Sequence, residues 1–117
     1  MNIDYSNNTT EKLCTNYKKA QKSLNKKVAE SLFSAINFLE SATNLMDIKN
    51  FPTFNFHALK GKRKGTYSID IAGRRSGYRL ILIPLDANKN EWENVEIIEM
   101  CLNTQSIIIK EVSKHYE

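Results

Sequence analysis

This sequence is poor in the residues that build metal sites and disulfide frameworks. It has two cysteines, Cys14 and Cys101, which lie far apart, form no C-x-x-C pair and have no histidine near them in sequence. A zinc site is therefore not expected, and since each cysteine adjoins a leucine, we expect both to be buried, reduced, small hydrophobic residues. No cluster of acidic residues indicates bound Mg²⁺, and no metal or cofactor is expected.

Two further absences concern enzyme class and location. The four glycines form no phosphate-binding loop, since G-K-R-K-G is too short for a Walker motif, and there is no G-x-S-x-G element. No apolar run approaches the ~18 residues of a membrane span, and the N-terminal segment MNIDYSNNTT is too polar for a signal peptide. We therefore expect a cytoplasmic protein without a membrane partner.

What the sequence does contain is a dense basic segment. Its 117 residues, 41% of them hydrophobic, are enough for a single domain, residues 1–117, with one modest core. Residues 57–79 carry seven Lys or Arg and one acid, Asp70, whereas the remaining residues carry ten cations and twelve anions. A basic patch on a nearly neutral body indicates a phosphate-bearing partner, although a solvated lysine-rich surface has the same composition.

The first half of the chain has the pattern of a strand followed by a helical hairpin. Ile3 and Tyr5 alternate with polar residues and predict a strand over 2–6. Apolar residues then recur at spacings of three and four, which predicts one helix over about 8–24 and, after a break at Asn25, a second helix. The five phenylalanines, all between residues 33 and 56, are interpreted as core.

From residue 56 onward the apolar period changes from that of a helix to that of a strand. The pattern predicts a half-buried strand at 67–71, a turn bracketed by Gly73 and Gly77, and a central strand in the segment YRLILIP. Residues 86–94 are predicted to form a loop, 95–102 a short helix or, alternatively, a strand, and 106–114 the last strand. The order β-α-α-β-β-β predicts an α+β fold, a small, mainly antiparallel sheet with a helical hairpin packed on one face.

Basic residues flank the predicted strand at 67–71 on both sides. We expect the loop before it, the turn after it and the following strand to bring cations onto one concave surface that grips successive phosphates. The residues expected to bind RNA are Lys60, Lys62, Arg63, Lys64, Arg74, Arg75 and Lys114. RNA binding usually adds an aromatic stacking partner, and the candidates are Tyr67, Tyr78, Trp92, His57 and Tyr116, of which Tyr78 is better explained as core.

The same residue types suffice for RNA cleavage without a metal. The 2′-OH attacks the adjacent phosphorus, so a base must take its proton, an acid must protonate the leaving 5′ oxygen, and cations must stabilise the added charge. The chain has two histidines for these roles, His57 and His115. Tyr116, with Lys114 beside it, is a further candidate for the acid or base. Inert surface histidines are the alternative for both.

Three segments of the chain resemble one toxin family. FHALKGKRKGTYSIDI resembles the L-H-x-L-K-G-x-x-K-G-x-[YW]-S-[IV] stretch of HigB-type toxins, and GRRSGYRLILIPLD resembles the R-S-S-G-Y-R-L stretch of RelE. The end, IIIKEVSKHYE, resembles the family's closing strand, usually close to E-I-V-D-Y-H. Together with the helical hairpin, the resemblance covers nearly the whole chain. It is to the RelE/ParE superfamily of type II toxin–antitoxin toxins, whose fold is a small twisted sheet with two N-terminal helices packed on it.

The resemblance implies a ribosome-dependent mRNA endonuclease that needs no metal or cofactor. Its implied partners are the ribosome, mRNA and a cognate antitoxin, expected to be a small helix-turn-helix protein. His57 matches the histidine of the HigB-type motif, which is catalytic there, and Arg79 matches the arginine of Y-R-L that contacts the scissile phosphate. Lys60, Arg63 and Lys64 match the basic loop.

The chain also departs from the family pattern. Where RelE has lysines in K-I-K-L, this chain has Asp70 and Ala72, and in place of D-Y-H it has Lys114, His115 and Tyr116. The segment WENVEIIEMCLNT is longer than the family minimum and is assigned no role. Two other functions stay open: a non-enzymatic, ParE-like toxin that binds DNA gyrase, and an RNA-binding module that does not cleave. ParE-like chains usually lack the His/Tyr set and basic loop found here.

Overall fold

The strands form one mixed sheet, and the helices pack against one of its faces. The computed structural model describes residues 1–114, in which five strands are hydrogen-bonded in the order β1-β5-β4-β3-β2. Their bounds are β1 (Asn2–Tyr5), β2 (His57–Ala58), β3 (Tyr67–Ile71), β4 (Tyr78–Leu85) and β5 (Ser106–Lys114). β1 runs parallel to β5, and the other neighbours are antiparallel. The predicted α+β class and mainly antiparallel sheet are confirmed, while the two-residue strand β2 was not predicted.

The helices of the first half follow the predicted apolar stripe but not its predicted continuity. They are α1 (Asn8–Thr15), α2 (Tyr17–Ser23), α3 (Lys26–Ser41) and the short α4 (Met46–Lys49). The prediction of one helix over 8–24 is wrong because the chain breaks at Asn16. The side chain of Asn16 accepts a hydrogen bond from the N–H of Lys19 and caps α2, as Asn7 and Asn25 cap α1 and α3. An asparagine side chain bonds first-turn N–H groups at a cap, which favours a new helix start over a continuous helix.

The segment predicted as helix or strand is a helix, α5 (Ile97–Asn103). Glu96 caps it by accepting a hydrogen bond from the N–H of Ile98. Met100 and Cys101 are its buried residues, and they anchor it to the core. Within residues 1–114, no helix has both the length and the hydropathy needed to cross a bilayer.

One hydrophobic core lies between the sheet and α3. Leu32 and Leu39 of α3 are fully buried, as are Ile69, Leu80 and Ile107 on three neighbouring strands. Along each strand the core residues alternate with residues of the opposite face, because successive side chains of a strand point to opposite sides. One face of the sheet therefore packs on the helical core, and the alternate residues of the strands lie on the opposite face.

The phenylalanines behave as the sequence predicts, with one exception. Phe54 is buried, and Phe33, Phe38 and Phe56 are partly buried against the core. Phe51 is 43% exposed, and its ring lies 5.2 Å from the ring centroids of both Phe38 and Phe54. The interpretation of this group as core therefore holds for four of its five members.

Both cysteines are free and buried in the core, as predicted. Burial raises the pKa of the Cys14 thiol to about 12 and is the main cause that raises that of Cys101 to about 11. Because the thiolate is the reactive form, we expect both thiols of the folded protein to react with iodoacetamide at least roughly a hundredfold more slowly than a free cysteine near neutral pH. Mass spectrometry of samples labelled with and without denaturant measures this. Rapid labelling of either thiol in the folded protein would contradict the burial of that side chain.

Candidate active site

The two central candidates, His57 and Arg79, lie on the sheet face opposite the helical core, which we call the site face. Its residues alternate with core residues along β2, β3, β4 and β5: His57, Ser68, Asp70, Arg79, Ile81, Glu111 and Ser113. One cross-strand row runs His57, Ser68, Ile81, Glu111, and the next runs Asp70, Arg79, Ser113. His57 and Arg79 are therefore separated by one intervening strand and two residues along the sheet, roughly 12 Å between Cα atoms.

The imidazole of His57 is held in a defined orientation. His57 is partly buried on the edge strand β2, and its Nδ1 lies 2.7 Å from the backbone carbonyl oxygen of Asn55. A carbonyl oxygen can only accept, so Nδ1 donates and the neutral ring has its lone pair on Nε2. Nε2 is therefore the atom of His57 that can take a proton from a bound molecule.

Asn55 connects His57 to the strands that carry Arg79. Its backbone is left-handed, with φ 47° and ψ 49°, a conformation that asparagine tolerates better than most residues. Its side-chain Nδ2 donates a hydrogen bond of 3.4 Å to Oδ2 of Asp70, which lies opposite Arg79 in the register of β3 and β4. Asn55 was not among the site residues predicted from the sequence. The available signal was an asparagine three residues after Pro52, where a turn residue with positive φ is common.

Arg79 extends from the middle of the sheet and is partly buried. Among residues 1–114, no side chain forms an ion pair with its guanidinium, including Asp70 directly opposite. Within this part of the chain, the five N–H donors of the guanidinium are not used by another charged group. A guanidinium in this state can bind two oxygens of one phosphate at once.

Ser68 lies between His57 and Ile81 in the register and is fully buried. Its Oγ has no hydrogen-bond partner within the described residues. Leaving a buried hydroxyl unpaired costs about 1–3 kcal/mol. Such a group is uncommon in a folded protein, and its position beside His57 places a locally unsatisfied polar atom in the candidate site.

The basic loop, residues 59–66, presents its cations on two different sides. Arg63 forms an ion pair with Glu111, with 3.3 Å between Nη2 and Oε1. Since β4 lies between the loop and β5, the Arg63 side chain extends over the site face to reach Glu111. The two side chains are 52% and 43% exposed, so this pair contributes only about 0–1 kcal/mol to stability.

Two of the other three cations of the basic loop line a cleft at the edge of the sheet. Lys60 and Lys64 are exposed and line a cleft of about 840 Å³ beside β2, and Lys62 is exposed in a 3-10 turn, Gly61–Arg63. The cleft is also lined by Tyr67, whose side chain packs on the core side of the sheet. Lys60 and Lys64 are thus separated from the site face by the sheet edge.

Arg74 and Arg75 lie at the opposite end of β3 from the basic loop. Both are exposed in a 3-10 turn, Arg74–Ser76, which Gly77 with φ +76° connects to β4. The five residues of β3, roughly 17 Å of extended chain, lie between this turn and the basic loop. The structure therefore brings His57, Arg79 and Arg63 together on the site face and leaves the remaining cations in two groups, one at each end of β3.

Lys114 is the last residue that the structure describes. Its Nζ lies 5.3 Å from the centroid of the Tyr78 ring, and Tyr78 packs against the core, as predicted. The other two C-terminal candidates, His115 and Tyr116, lie outside the described residues. Their roles, and RNA binding by Lys114, stay predictions.

Among residues 1–114, no three His, Cys, Asp or Glu side chains are grouped so that they could hold a metal ion. A comparison with protein-family models and a search of curated proteins found no match.

Proposed function

We propose that this protein is the toxin of a type II toxin–antitoxin system, a cytoplasmic endoribonuclease that cuts translated mRNA on the ribosome without a metal ion. The observation that carries the proposal is that His57 and Arg79 share one face of the sheet, roughly 12 Å apart at their Cα atoms. The Arg63 side chain over the site face and the exposed Arg74 and Arg75 after β3 support it, because cations bind the phosphates that flank a cleaved linkage. The proposed partners are the ribosome, mRNA and a cognate antitoxin.

The proposed reaction breaks one phosphodiester linkage. Nε2 of His57 takes the proton of the 2′-OH while the 2′ oxygen bonds to phosphorus, the bond from phosphorus to the 5′ oxygen breaks, and a 2′,3′-cyclic phosphate remains. The proposed donors of a proton to the leaving 5′ oxygen are His115 and Tyr116. Arg79 donates hydrogen bonds to the non-bridging oxygens, whose negative charge grows in the transition state.

Asp70 suits this proposal as a positioning residue. It is 6% exposed and already accepts a hydrogen bond from Asn55, whose carbonyl oxygen orients His57. The resemblance implies a lysine in this region as the base of RelE, and this chain has none on β3. We therefore assign the role of general base to His57, because Asn55 contacts its Nδ1 and leaves the lone pair of Nε2 available.

The test is cleavage of a defined message on purified translating ribosomes. We expect cuts within translated codons, with 5′-hydroxyl and 2′,3′-cyclic phosphate ends, and we expect the antitoxin to abolish them. An intact message together with loss of gyrase supercoiling would favour a ParE-like toxin. Binding of RNA with no cut would favour a non-cleaving module. Either result would overturn the proposed nuclease.

A further inference from the structure

The cleft beside β2 joins two segments that are distant in the sequence. One wall is the basic loop, with Lys60 and Lys64, and the other is the segment 91–95, with Glu91, Trp92 and Glu93. The walls meet near Gly65, where an added Cβ would lie 3.5 Å from the Glu91 carboxylate. Its volume, about 840 Å³, is within the range of small-molecule sites. The segment 91–95 has no role in the reaction proposed above.

Two aromatic rings that line this cleft are held in fixed orientations. The indole Nε1 of Trp92 donates a 3.0 Å hydrogen bond to Oγ1 of Thr104, which is fully buried. The Thr104 hydroxyl in turn donates to the carbonyl oxygen of Met100. Tyr67 is stacked on Phe56, with 5.2 Å between ring centroids and 2° between planes. A ligand that stacks on such rings loses little free energy to ordering them.

The charges of the cleft have opposite signs on its two walls. Lys60 and Lys64 are exposed, and neither forms an ion pair with Glu91 or Glu93 in the described chain. A cleft that carries both ammonium groups and carboxylates, with no ion pair between them in the described chain, suits a ligand that has both an anion and N–H donors. A nucleoside monophosphate has this form, with a phosphate, a flat base and a polar base edge.

A carboxylate can discriminate among the four bases by the hydrogen bonds that each base edge can donate. Guanine presents two adjacent donors, N1–H and the N2 amino group, which match the two oxygens of one carboxylate. Uracil presents one N–H between two carbonyl oxygens, and those oxygens would be repelled. Adenine and cytosine each present one amino group beside an unprotonated ring nitrogen. Glu91 or Glu93 therefore favours guanine.

We propose that this cleft binds a guanosine monophosphate unit, with its phosphate at Lys60 and Lys64, its base against Trp92 and Tyr67, and its donor edge at Glu91 or Glu93. That the unit belongs to an RNA strand rests on the proposed function, whereas the nucleotide site itself does not. The cleft then adds a base-selective contact across the sheet edge from the site face. The assigned role explains why an acidic, tryptophan-bearing segment approaches the basic loop.

The chain's single tryptophan lines the cleft, so its fluorescence reports binding directly. Titration with GMP, AMP, CMP and UMP is expected to give a saturable change with GMP, at an affinity roughly tenfold higher than that for UMP. Lys64→Ala is expected to weaken GMP binding roughly fivefold to tenfold. Lys18→Ala, which removes the same charge from an exposed position on α2 outside the cleft, is expected to leave it unchanged. Absence of saturation with GMP, or equal losses in both lysine variants, would overturn the site.

Two further experiments test base selection and RNA binding separately. Replacing both carboxylates, in Glu91→Gln/Glu93→Gln, is expected to reduce the preference for GMP over UMP to less than roughly threefold. A preference that stays at the wild-type value would rule out the carboxylate contact. ApApGpApA is expected to bind more tightly than GMP and than ApApApApA. If it binds no more tightly than GMP, the ligand is a free nucleotide and the RNA assignment is wrong.

Failure of the nuclease and failure of this cleft are distinguishable. His57→Ala is expected to lose cleavage and to keep the affinity for GMP, since His57 does not line the cleft. If the wild-type protein binds GMP but cuts no message, the proposed nucleotide site is supported and the proposed nuclease is wrong. If the wild-type protein cuts the message but its tryptophan fluorescence does not change with GMP, the proposed nuclease is supported and the nucleotide site is wrong.

Discussion

Replacing Arg79 with alanine is expected to lower the rate of mRNA cleavage on the ribosome by roughly a hundredfold or more. The guanidinium extends from β4 on the site face and has no ion-pair partner among residues 1–114, so its donors can meet the phosphate oxygens as their charge grows. The loss should appear in the single-turnover rate at saturating protein, because the contact strengthens in the transition state. Single-turnover cleavage of one defined codon measures it.

Two variants serve as controls for this result. Arg79→Lys keeps the positive charge but loses the planar fork, and we expect it to retain part of the activity. Lys110→Ala removes an exposed cation of β5 at the β-bulge, outside the proposed contacts, and is expected to cut at the wild-type rate. A folded Arg79→Ala protein that cuts as fast as the wild type would end the assignment of Arg79 to the scissile phosphate.

Replacing His57 with alanine is expected to lower the same rate by about 10²- to 10⁴-fold, the usual contribution of a general base. The physical reason is the orientation of the ring, because Nδ1 is held by the Asn55 carbonyl oxygen and Nε2 is left as the acceptor. We expect added imidazole to restore part of the rate of His57→Ala and none of the rate of Arg79→Ala. Wild-type cleavage by His57→Ala would show that another group takes the 2′-OH proton.

Asn55 tests whether the orientation of His57 matters. Asn55→Gly keeps the left-handed backbone and removes the hydrogen bond to Asp70, whereas Asn55→Ala also adds backbone strain of roughly 1–2 kcal/mol. We expect both to slow cleavage less than His57→Ala does, and only Asn55→Ala to lower the melting temperature clearly. The ¹⁵N chemical shifts of the imidazole should report the Nδ1–H tautomer in the wild type. An unchanged tautomer and rate in Asn55→Gly would exclude a positioning role for its side chain.

The fold was largely predictable because its elements follow local hydrophobic periods. β1, β4 and β5 lie within one residue of the predicted bounds, and the break at Asn25 is the N-cap of α3. The helix over 8–24 was mispredicted because the apolar spacing of three and four continues through Asn16, where only the capping side chain marks the break. β2 was missed since two residues are too few to show a period of two.

The residues of the candidate site were proposed from the sequence, but their arrangement differs from the one that was predicted. The motif resemblance singled out His57 and Arg79, and strand alternation puts both on the site face. The single concave patch of cations was expected because the basic residues are close in sequence. In the structure the cations of the basic loop and those of the turn Arg74–Ser76 lie at opposite ends of β3, because an extended strand keeps the segments before and after it apart.

Local patterns along the chain were sufficient to specify the α+β class, the central strands and the buried cysteines. They were sufficient because alternation and helical spacing are properties of neighbouring residues. The pairing of Arg63 with Glu111, the link from Asn55 to Asp70, and the approach of Trp92 to the basic loop emerged from the folded chain alone. Each of these contacts joins residues that are between 15 and 48 positions apart in the sequence. The periodicity of neighbouring residues cannot predict such contacts, because it carries no information on which distant residues meet across the sheet.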